Sequence, residues 1–310
     1  MLTTRLQQHL ALAALFVVVV MLAGCVPAPT YREDGVARRI GAPSTAIGGA
    51  LSPSGPVGDF QLRFADEFEG TELGDSWYPN RWFATECSAG AGPSELQWYT
   101  RRAANVDVAD GNLRLTARQE PYSCAEWGGT KGYTSGWVQT GGSRDIGGQD
   151  AAAGFTCTIG CFAEARIRMP AGGQTFPAFW LMPVERSEAG NQYPSRPEID
   201  AVEFYRSWTS WEHHLHTTCS GPDLSTGRSA VGPDITAGHH TIGVWWRSDR
   251  IDWYVDGHLS WSYTGCGIPT AEDEMYLILN HAIGNAAPDP SPTEPFPKVM
   301  LVDYVRVWSS

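Results

Sequence analysis

The sequence predicts an all-β protein, a sandwich of two antiparallel sheets, and three observations carry that expectation. Short runs rich in β-branched and aromatic residues follow one another along most of the chain, two pairs of them are separated by Asp-Gly, and no stretch of about 12 residues or more carries an apolar stripe at helical spacing. Asp-Gly between alternating runs is a strong hairpin signal, because both residues tolerate the positive φ that a tight turn between twisted strands requires. A curved sheet in such a sandwich forms a concave cleft.

The first 58 residues stand apart from this pattern. Arg5 is the only formal charge ahead of an apolar run from about Leu10 to Ala23, a run short for a bilayer span and typical of an export signal. Leu22-Ala23-Gly24-Cys25 resembles the lipobox of bacterial lipoproteins. That resemblance implies removal of residues 1–24, lipid on Cys25, and membrane attachment through the lipid alone. An ordinary cleaved signal and an uncleaved anchor are the alternatives. Residues 25–58 are rich in Pro, Gly, Ala and Ser without periodicity and read as a flexible tether. Residues 59–310 then form one domain of ordinary size for a β-sandwich, with 42% hydrophobic residues in the chain to supply its core.

Within the domain, Asn105–Val108 and Asn112–Thr116 flank Asp110-Gly111, and Ile251–Val255 and His258–Trp261 flank Asp256-Gly257. Ala163–Met169, Trp211–Thr217, His240–Trp246, Met275–Asn280 and Met300–Trp308 are also predicted to be extended. Most of Trp245, Trp246, Trp253, Trp261 and Trp308 fall in strand-like alternation and are expected to pack in the core or between sheets. Six cysteines follow Cys25. In an exported chain an even count predicts three disulfides, although six cysteines allow 15 connectivities. The expected pairs are Cys157/Cys161, Cys87/Cys124 and Cys219/Cys266; the absence of paired C-x-x-C spacings argues against the alternative, a zinc site. Removing residues 1–24 leaves 21 basic against 34 acidic residues. Such a surface excludes nucleic acid as a natural partner and accommodates a neutral polysaccharide.

The chemistry concentrates in Arg196–Tyr205, where Glu198, Asp200 and Glu203 fall within six residues of strand-like sequence. In a regular strand Glu198 and Asp200 share one face, and Glu203 turns to the other with Ile199 and Ala201. A lone carboxylate on the buried face costs several kcal/mol. A β-bulge near Ala201-Val202 removes the conflict and brings all three acids to one face. Three converging carboxyls are suited to cleaving a glycosidic bond, one attacking the anomeric carbon, one protonating the leaving oxygen and one tuning the pair. A hydrated acidic edge strand is the non-catalytic alternative.

The spacing Glu-x-Asp-x-x-Glu resembles the active-site signature of glycoside hydrolase family 16, in the bulged form of its laminarinase-like members. Further landmarks follow in the same order: Asp66–Gly70, Glu95–Thr100 with Asn105-Val106, Tyr133–Gly136, Glu164–Pro170, Phe176–Leu181, Tyr254–Gly257, Leu277–Asn280 and Val302–Trp308. The resemblance implies a jelly-roll β-sandwich and a retaining endo-β-glucanase acting on internal β-1,3 bonds. It implies Glu198 as nucleophile, Asp200 as assisting carboxylate and Glu203 as general acid/base. It further implies Trp180 as a sugar platform, His216 beside Glu203, and sugar contacts from Asn105, Glu164, Arg166, Trp137 and Asn280. Glu67, Asp303 and the Gly111 carbonyl match a structural calcium site of relatives, while catalysis needs no cofactor and the chain is expected to act as a monomer on β-glucan. His214 and His216 share a strand face, but two imidazoles do not complete a zinc shell and no metal is expected there. Two departures bear on substrate: Trp137 replaces the Arg common after Thr-Ser-Gly, and Gly284–Pro288 replaces a Gly-Gly-Trp-like loop. Other β-glycans such as mixed-linkage glucan or a galactan, transglycosylation, and a glucan-binding protein without activity are the competing readings.

Overall fold

Both Asp-Gly pairs form the turns the sequence predicts. Asp110 (φ 54°) and Gly111 (φ 69°), and Asp256 (φ 48°) and Gly257 (φ 75°), place two successive residues in the left-handed region, as tight turns between twisted strands demand. The strands they join run from Val106–Ala109 to Asn112–Ser123 and from Ile251–Val255 to His258–Tyr263. The computed structural model describes residues 51–80, 85–90, 92, 94–141, 155–184, 197–207, 209–217, 219, 224–270, 273–285 and 287–310.

Two sheets face one another. One has the strand order Leu224–Val231, Ser210–Thr217, Glu198–Ser207, Phe176–Pro183, Met275–Ala282, Trp137–Gln139 and Tyr78–Pro79, with Thr156–Cys157 added beside Met275–Ala282. The other is built on His258–Tyr263, Ile251–Val255, His240–Trp246, Cys161–Arg168, Lys298–Ser309, Asn112–Ser123 and Thr130–Ser135, with Gln61–Asp66 on Lys298–Ser309. Neighbours are antiparallel except Gln97–Thr100 against Thr130–Ser135, which run parallel. The all-β jelly-roll architecture expected from the sequence is the observed one.

Alternation sorts side chains between the faces. Phe179, Leu181, Ile199, Leu215, Leu277 and Leu279 of the first sheet meet Ala163, Ala165, Ile167, Val244, Trp246, Trp253, Val302 and Val305 of the second in one buried cluster. The expected tryptophan packing is found at Trp246, Trp253 and Trp308, all buried, with Trp253 stacked on Trp261 at 4.3 Å. Trp245 instead turns outward, under the Arg247 guanidinium. Three disulfides, Cys87–Cys124, Cys157–Cys161 and Cys219–Cys266, are the expected pairs. Cys25 and residues 1–50 lie outside the described residues. The end of the expected tether is held on the sandwich, where the Leu51 carbonyl accepts Trp308 Nε1–H at 3.0 Å and Ser54 N–H donates to Glu164 Oε2 at 2.9 Å.

Two buried histidines are part of this interior. His281 donates through Nδ1 to the Leu115 carbonyl at 3.1 Å while Nε2 meets the Thr175 hydroxyl at 3.0 Å, and burial lowers its pKa to about 4. Burial likewise lowers His213 to about 4. Both are neutral in the folded state, whereas in the unfolded chain they take up protons near pH 6.5. The unfolded state therefore gains protons first as pH falls. Stability is complete above about pH 6.5, declines between 6.5 and 4, and stops declining through these groups once the folded state protonates too, with each contributing on the order of 3 kcal/mol. Melting temperature measured from pH 7.5 to 4.5 should fall steeply below 6.5, and His281→Gln, which cannot titrate, should flatten that slope while lowering the neutral-pH value. An unchanged slope would show that His281 does not titrate in this window.

Candidate active site

The acidic strand carries the bulge at the position the sequence requires. Against Phe176–Pro183, Phe179 faces Val202 but Trp180 faces Asp200, and against Ser210–Thr217, Asp200 faces His214 while Glu203 faces Glu212. One residue is extra on the acidic strand, at Ala201-Val202. Ile199, Ala201, Val202 and Phe204 consequently all enter the core, and Glu203 joins Glu198 and Asp200 on the opposite, concave face.

That face reads as cross-strand rows. One runs Gly227, His214, Asp200, Trp180, Ile278, Gln139; the next runs Ser229, Glu212, Glu203, Ala178, Asn280, Trp137; and His216 stands opposite Glu198. Gly227 is required by this packing, since a Cβ there would collide with the His214 ring.

Two backbone carbonyls at the bulge accept from side-chain donors. Trp253 Nε1–H, from the facing sheet, donates to the Asp200 carbonyl at 2.8 Å. His213 Nδ1–H donates to the Ala201 carbonyl at 2.6 Å. His213 Nε2 then accepts, from Ser260 Oγ at 2.9 Å and Trp211 Nε1–H at 3.4 Å. These partners define the neutral Nδ1–H tautomer, consistent with the lowered pKa of this buried ring.

Asp200 is 2% exposed. Burial first, then the charges of Glu198 and Glu203, raise its carboxyl well above the ordinary range, so it holds a proton when its neighbours are ionised. Glu203 Oε2 accepts a hydrogen bond from His214 Nδ1, His214 Nε2 lies 3.2 Å from Glu212 Oε2, and the other oxygen, Glu212 Oε1, accepts from Ser229 Oγ. His216 Nε2 is 3.5 Å from Asp200 Oδ2. His216 lies within 4.8 Å of Glu203, and it is His214 that makes the hydrogen bond to Glu203. The bulge shifts the register so that His214 reaches Glu203, and His216 falls between Glu198 and Asp200.

The other expected sugar contacts divide sharply. Trp180, Trp137 and Asn280 are brought beside the acids. Trp180 Nε1–H donates to Asn280 Oδ1 at 2.8 Å, Asn280 Nδ2 donates to the Tyr99 hydroxyl at 2.9 Å, and Trp137 meets both Tyr99 and Trp180 edge to face. Trp180 is 6% exposed and packs with Tyr99, Trp137 and Ile278 in one buried cluster. Asn105 is fully buried with all its polar capacity engaged. Its Oδ1 accepts from Thr100 and Arg102 and its Nδ2 donates to the Thr116 carbonyl and Thr134. It ties the Thr100–Asn105 turn to the sheet and leaves no polar group for sugar.

Glu164 and Arg166 belong to the other sheet and point away from the core, since their neighbours Ala163, Ala165 and Ile167 fill it. They do not pair with each other. Glu164 accepts from the Tyr304 hydroxyl and Ser54 N–H, both at 2.9 Å, and Arg166 binds Asp303 at 2.6 Å. The expected calcium ligands meet arginines as well, Glu67 being held by both the Nε and an Nη of Arg306. Carboxylates already neutralised by guanidinium groups do not fit a calcium site, which needs several unengaged oxygens. Gly111 serves the turn.

Comparisons with known proteins agree with this geometry. Residues 95–267 match the model of the glycosyl hydrolases family 16. The chain is 31% identical over 264 residues to a beta-glucanase of Rhodothermus marinus, covering 80% of this chain and 85% of that protein. It is 31% identical to a glucan endo-1,3-beta-glucosidase of Cryptopygus antarcticus, covering 81% of this chain and 93% of that protein. An endo-beta-1,3-glucanase structure from Pyrococcus furiosus superposes with a TM-score of 0.66 at 29% identity, covering 81% of this chain and 94% of that one. The chain belongs to glycosyl hydrolase family 16 and is a glycoside hydrolase.

Sequence reasoning does not reach the roles of His213, Trp253, Glu212 and Tyr99, and it weighs His214 only as a metal ligand. The bulge itself was the available signal for two of them, because predicting a bulge predicts unpaired carbonyls that need donors. Trp253→Phe removes one such donor and should destabilise the fold by about 1–3 kcal/mol. It should also lower kcat on a glycan substrate by about tenfold with little change in KM, because displacement of the acids costs turnover before binding. Activity retained in proportion to folded protein would show that the bulge holds without this bond.

Proposed function

We propose that this family 16 enzyme is an endo-β-1,3-glucanase that hydrolyses internal bonds of laminarin-like glucans by double displacement, with retention of anomeric configuration. The observation that carries the reading is the bulge that brings Glu198, Asp200 and Glu203 to one face of the concave sheet. Similarity to a beta-glucanase and a glucan endo-1,3-beta-glucosidase supports the substrate class. Glu198 attacks the anomeric carbon while Glu203 protonates the departing oxygen; Glu203 then takes a proton from water as that water releases the glycosyl-enzyme. Asp200 keeps its own proton under burial and the charge of Glu198, so Glu198 stays ionised without a second full negative charge beside it while Glu203 carries the proton it transfers. His214 holds Glu203 Oε2, which leaves Oε1 for proton transfer in this reading. A glucan-binding protein without activity has no use for three carboxyls forced together by a bulge.

Role assignment is tested with nucleophile rescue. Glu203→Ala should keep appreciable turnover of an aryl glycoside whose leaving group needs no protonation, and azide should accelerate it and give a β-glycosyl azide. Glu198→Ala should lose roughly 10⁴-fold or more on every substrate, and azide should give the α-azide. Proton NMR of the wild-type reaction on laminarin should first show β-anomer; first appearance of the α-anomer refutes the retaining mechanism. Digestion of laminarin, mixed-linkage glucan and a galactan in parallel decides the substrate, laminarin being cleaved fastest.

Export and lipid attachment at Cys25 complete the reading, supported by the lipobox-like segment and by three disulfides that suit an oxidising compartment. Labelling cells with a fatty-acid probe should mark the wild-type protein, and Cys25→Ala should abolish the label and release the enzyme from membranes. An unlabelled wild type would rule out the anchor.

A further inference from the structure

The cleft holds a donor set that the glycosidase reaction does not fully use. One ligand atom from each of Asp200, Glu203, His214 and His216 lies within 4.8 Å of the other three. The acids come from Glu198–Ser207 and the imidazoles from the neighbouring Ser210–Thr217, so four side chains on two rigid strands converge without a loop. His214 and His216 face the same way because they are two residues apart, and their ring centres are 5.6 Å apart.

Three details distinguish this cluster from a group of acids that happen to be close. Asp200 Oδ2 is buried in the cluster without a hydrogen-bond partner, a cost that native interiors rarely bear unless the atom has a ligand to meet. Its separation from His216 Nε2, 3.5 Å, is too long for a good hydrogen bond. It is the ligand-to-ligand distance of a tetrahedral zinc ion, about 3.4 Å for bonds of about 2.1 Å. Third, His214 already has the outer partner that metal-bound histidines use, since Nε2 faces Glu212 Oε2 at 3.2 Å while Nδ1 points at Glu203. A carboxylate behind the imidazole fixes the ring and raises its basicity, and Ser229 Oγ in turn holds Glu212. Gly227 leaves the room in which that ring lies.

We propose that Asp200, Glu203, His214 and His216 form a binding site for a borderline divalent transition metal of the zinc class, with Glu212 as the outer-shell partner of His214, and that the bound ion switches the hydrolase off. Two imidazoles and two carboxylates suit zinc rather than calcium or magnesium, which take oxygen ligands at higher coordination number. The ion takes the place of the proton between His214 Nδ1 and Glu203 Oε2 and of the proton on Asp200, and these protons leave to solvent. Glu203 can then neither give nor receive the proton the reaction needs. This inhibitory consequence rests on the roles proposed for Glu203 and Asp200; metal binding itself does not.

The test starts with the purified protein stripped by EDTA and dialysed against zinc chloride, with bound zinc measured directly. One zinc per chain should bind with a Kd in the micromolar range or tighter. His214→Gln/His216→Gln should weaken this at least 100-fold, and Glu212→Gln about tenfold, as loss of an outer-shell carboxylate does. Cobalt bound to the wild-type protein should give the intense visible absorption of a four-coordinate site, a readout that depends on no variant. No zinc retained at 1 mM, equal retention by the double variant, or the weak spectrum of six-coordinate cobalt would each overturn the site. In parallel, the stripped enzyme should hydrolyse laminarin and lose at least 90% of its activity in saturating zinc, with recovery on chelation. Full activity with zinc bound would overturn the switch, as would a stripped enzyme that needs zinc to work. If zinc binds as described but the stripped protein cleaves no β-glycan, the proposed hydrolase function fails and the metal site stands.

Discussion

A single surplus residue at Ala201-Val202 is the constraint on which the active face depends. Without it, strict alternation would send Glu203 into a core made of Ile199, Leu215 and Trp253, where an ionised carboxylate is not sustainable. With it, three acids share one face, and two main-chain carbonyls at the irregularity turn to side-chain donors. Trp253 and His213 supply those donors from inside the sandwich. The core is therefore not only a source of hydrophobic stability. It holds the one irregularity that makes the opposite face reactive, and the two buried indole and imidazole groups act by positioning, without reaching substrate.

Three nearly adjacent histidines show how much a strand's period of two decides. His213 points inward and is kept neutral by burial, bracing the bulge; His214 and His216 point outward into the acids. Identical side chains one residue apart thus have opposite environments and unrelated tasks. Exchange of His213 for a smaller apolar residue would leave the Ala201 carbonyl buried and unpaired, which accounts for a polar, titratable group in an otherwise apolar region.

Much of this was legible in the sequence, and the limits are instructive. The Asp-Gly hairpins, the extended run Met275–Asn280 and the Glu-x-Asp-x-x-Glu bulge follow from local rules: positive φ at two successive residues, alternation, and the cost of burying a charge. The disulfide pairs were a choice among many connectivities that local rules do not rank. What could not be read was anything set by register between distant strands. The family resemblance implies His216 beside Glu203, but which histidine bonds that acid is set by the register across the bulge, and it is His214. Glu164 and Arg166 were placed near sugar although the face they occupy depends on which sheet Cys161–Arg168 joins. Asn105, exposed by any composition argument, is buried because Thr100, Arg102, Thr116 and Thr134 converge on it from three segments of chain.

The site's dual character has a common origin. General acid catalysis by carboxyls needs them close together, so that one holds a proton while another is ionised, and it needs them partly withdrawn from water so that the difference persists. Those conditions also describe an attractive metal site, because crowding and burial leave oxygen atoms such as Asp200 Oδ2 without adequate partners. The neighbouring strand Ser210–Thr217 lies alongside these acids. Here it presents two imidazoles, one of them backed by Glu212, and thereby turns a crowded proton-transfer site into a set of four ligands from two strands. Since proton and metal compete for the same oxygens, any ion that occupies the set must do so at the expense of the reaction.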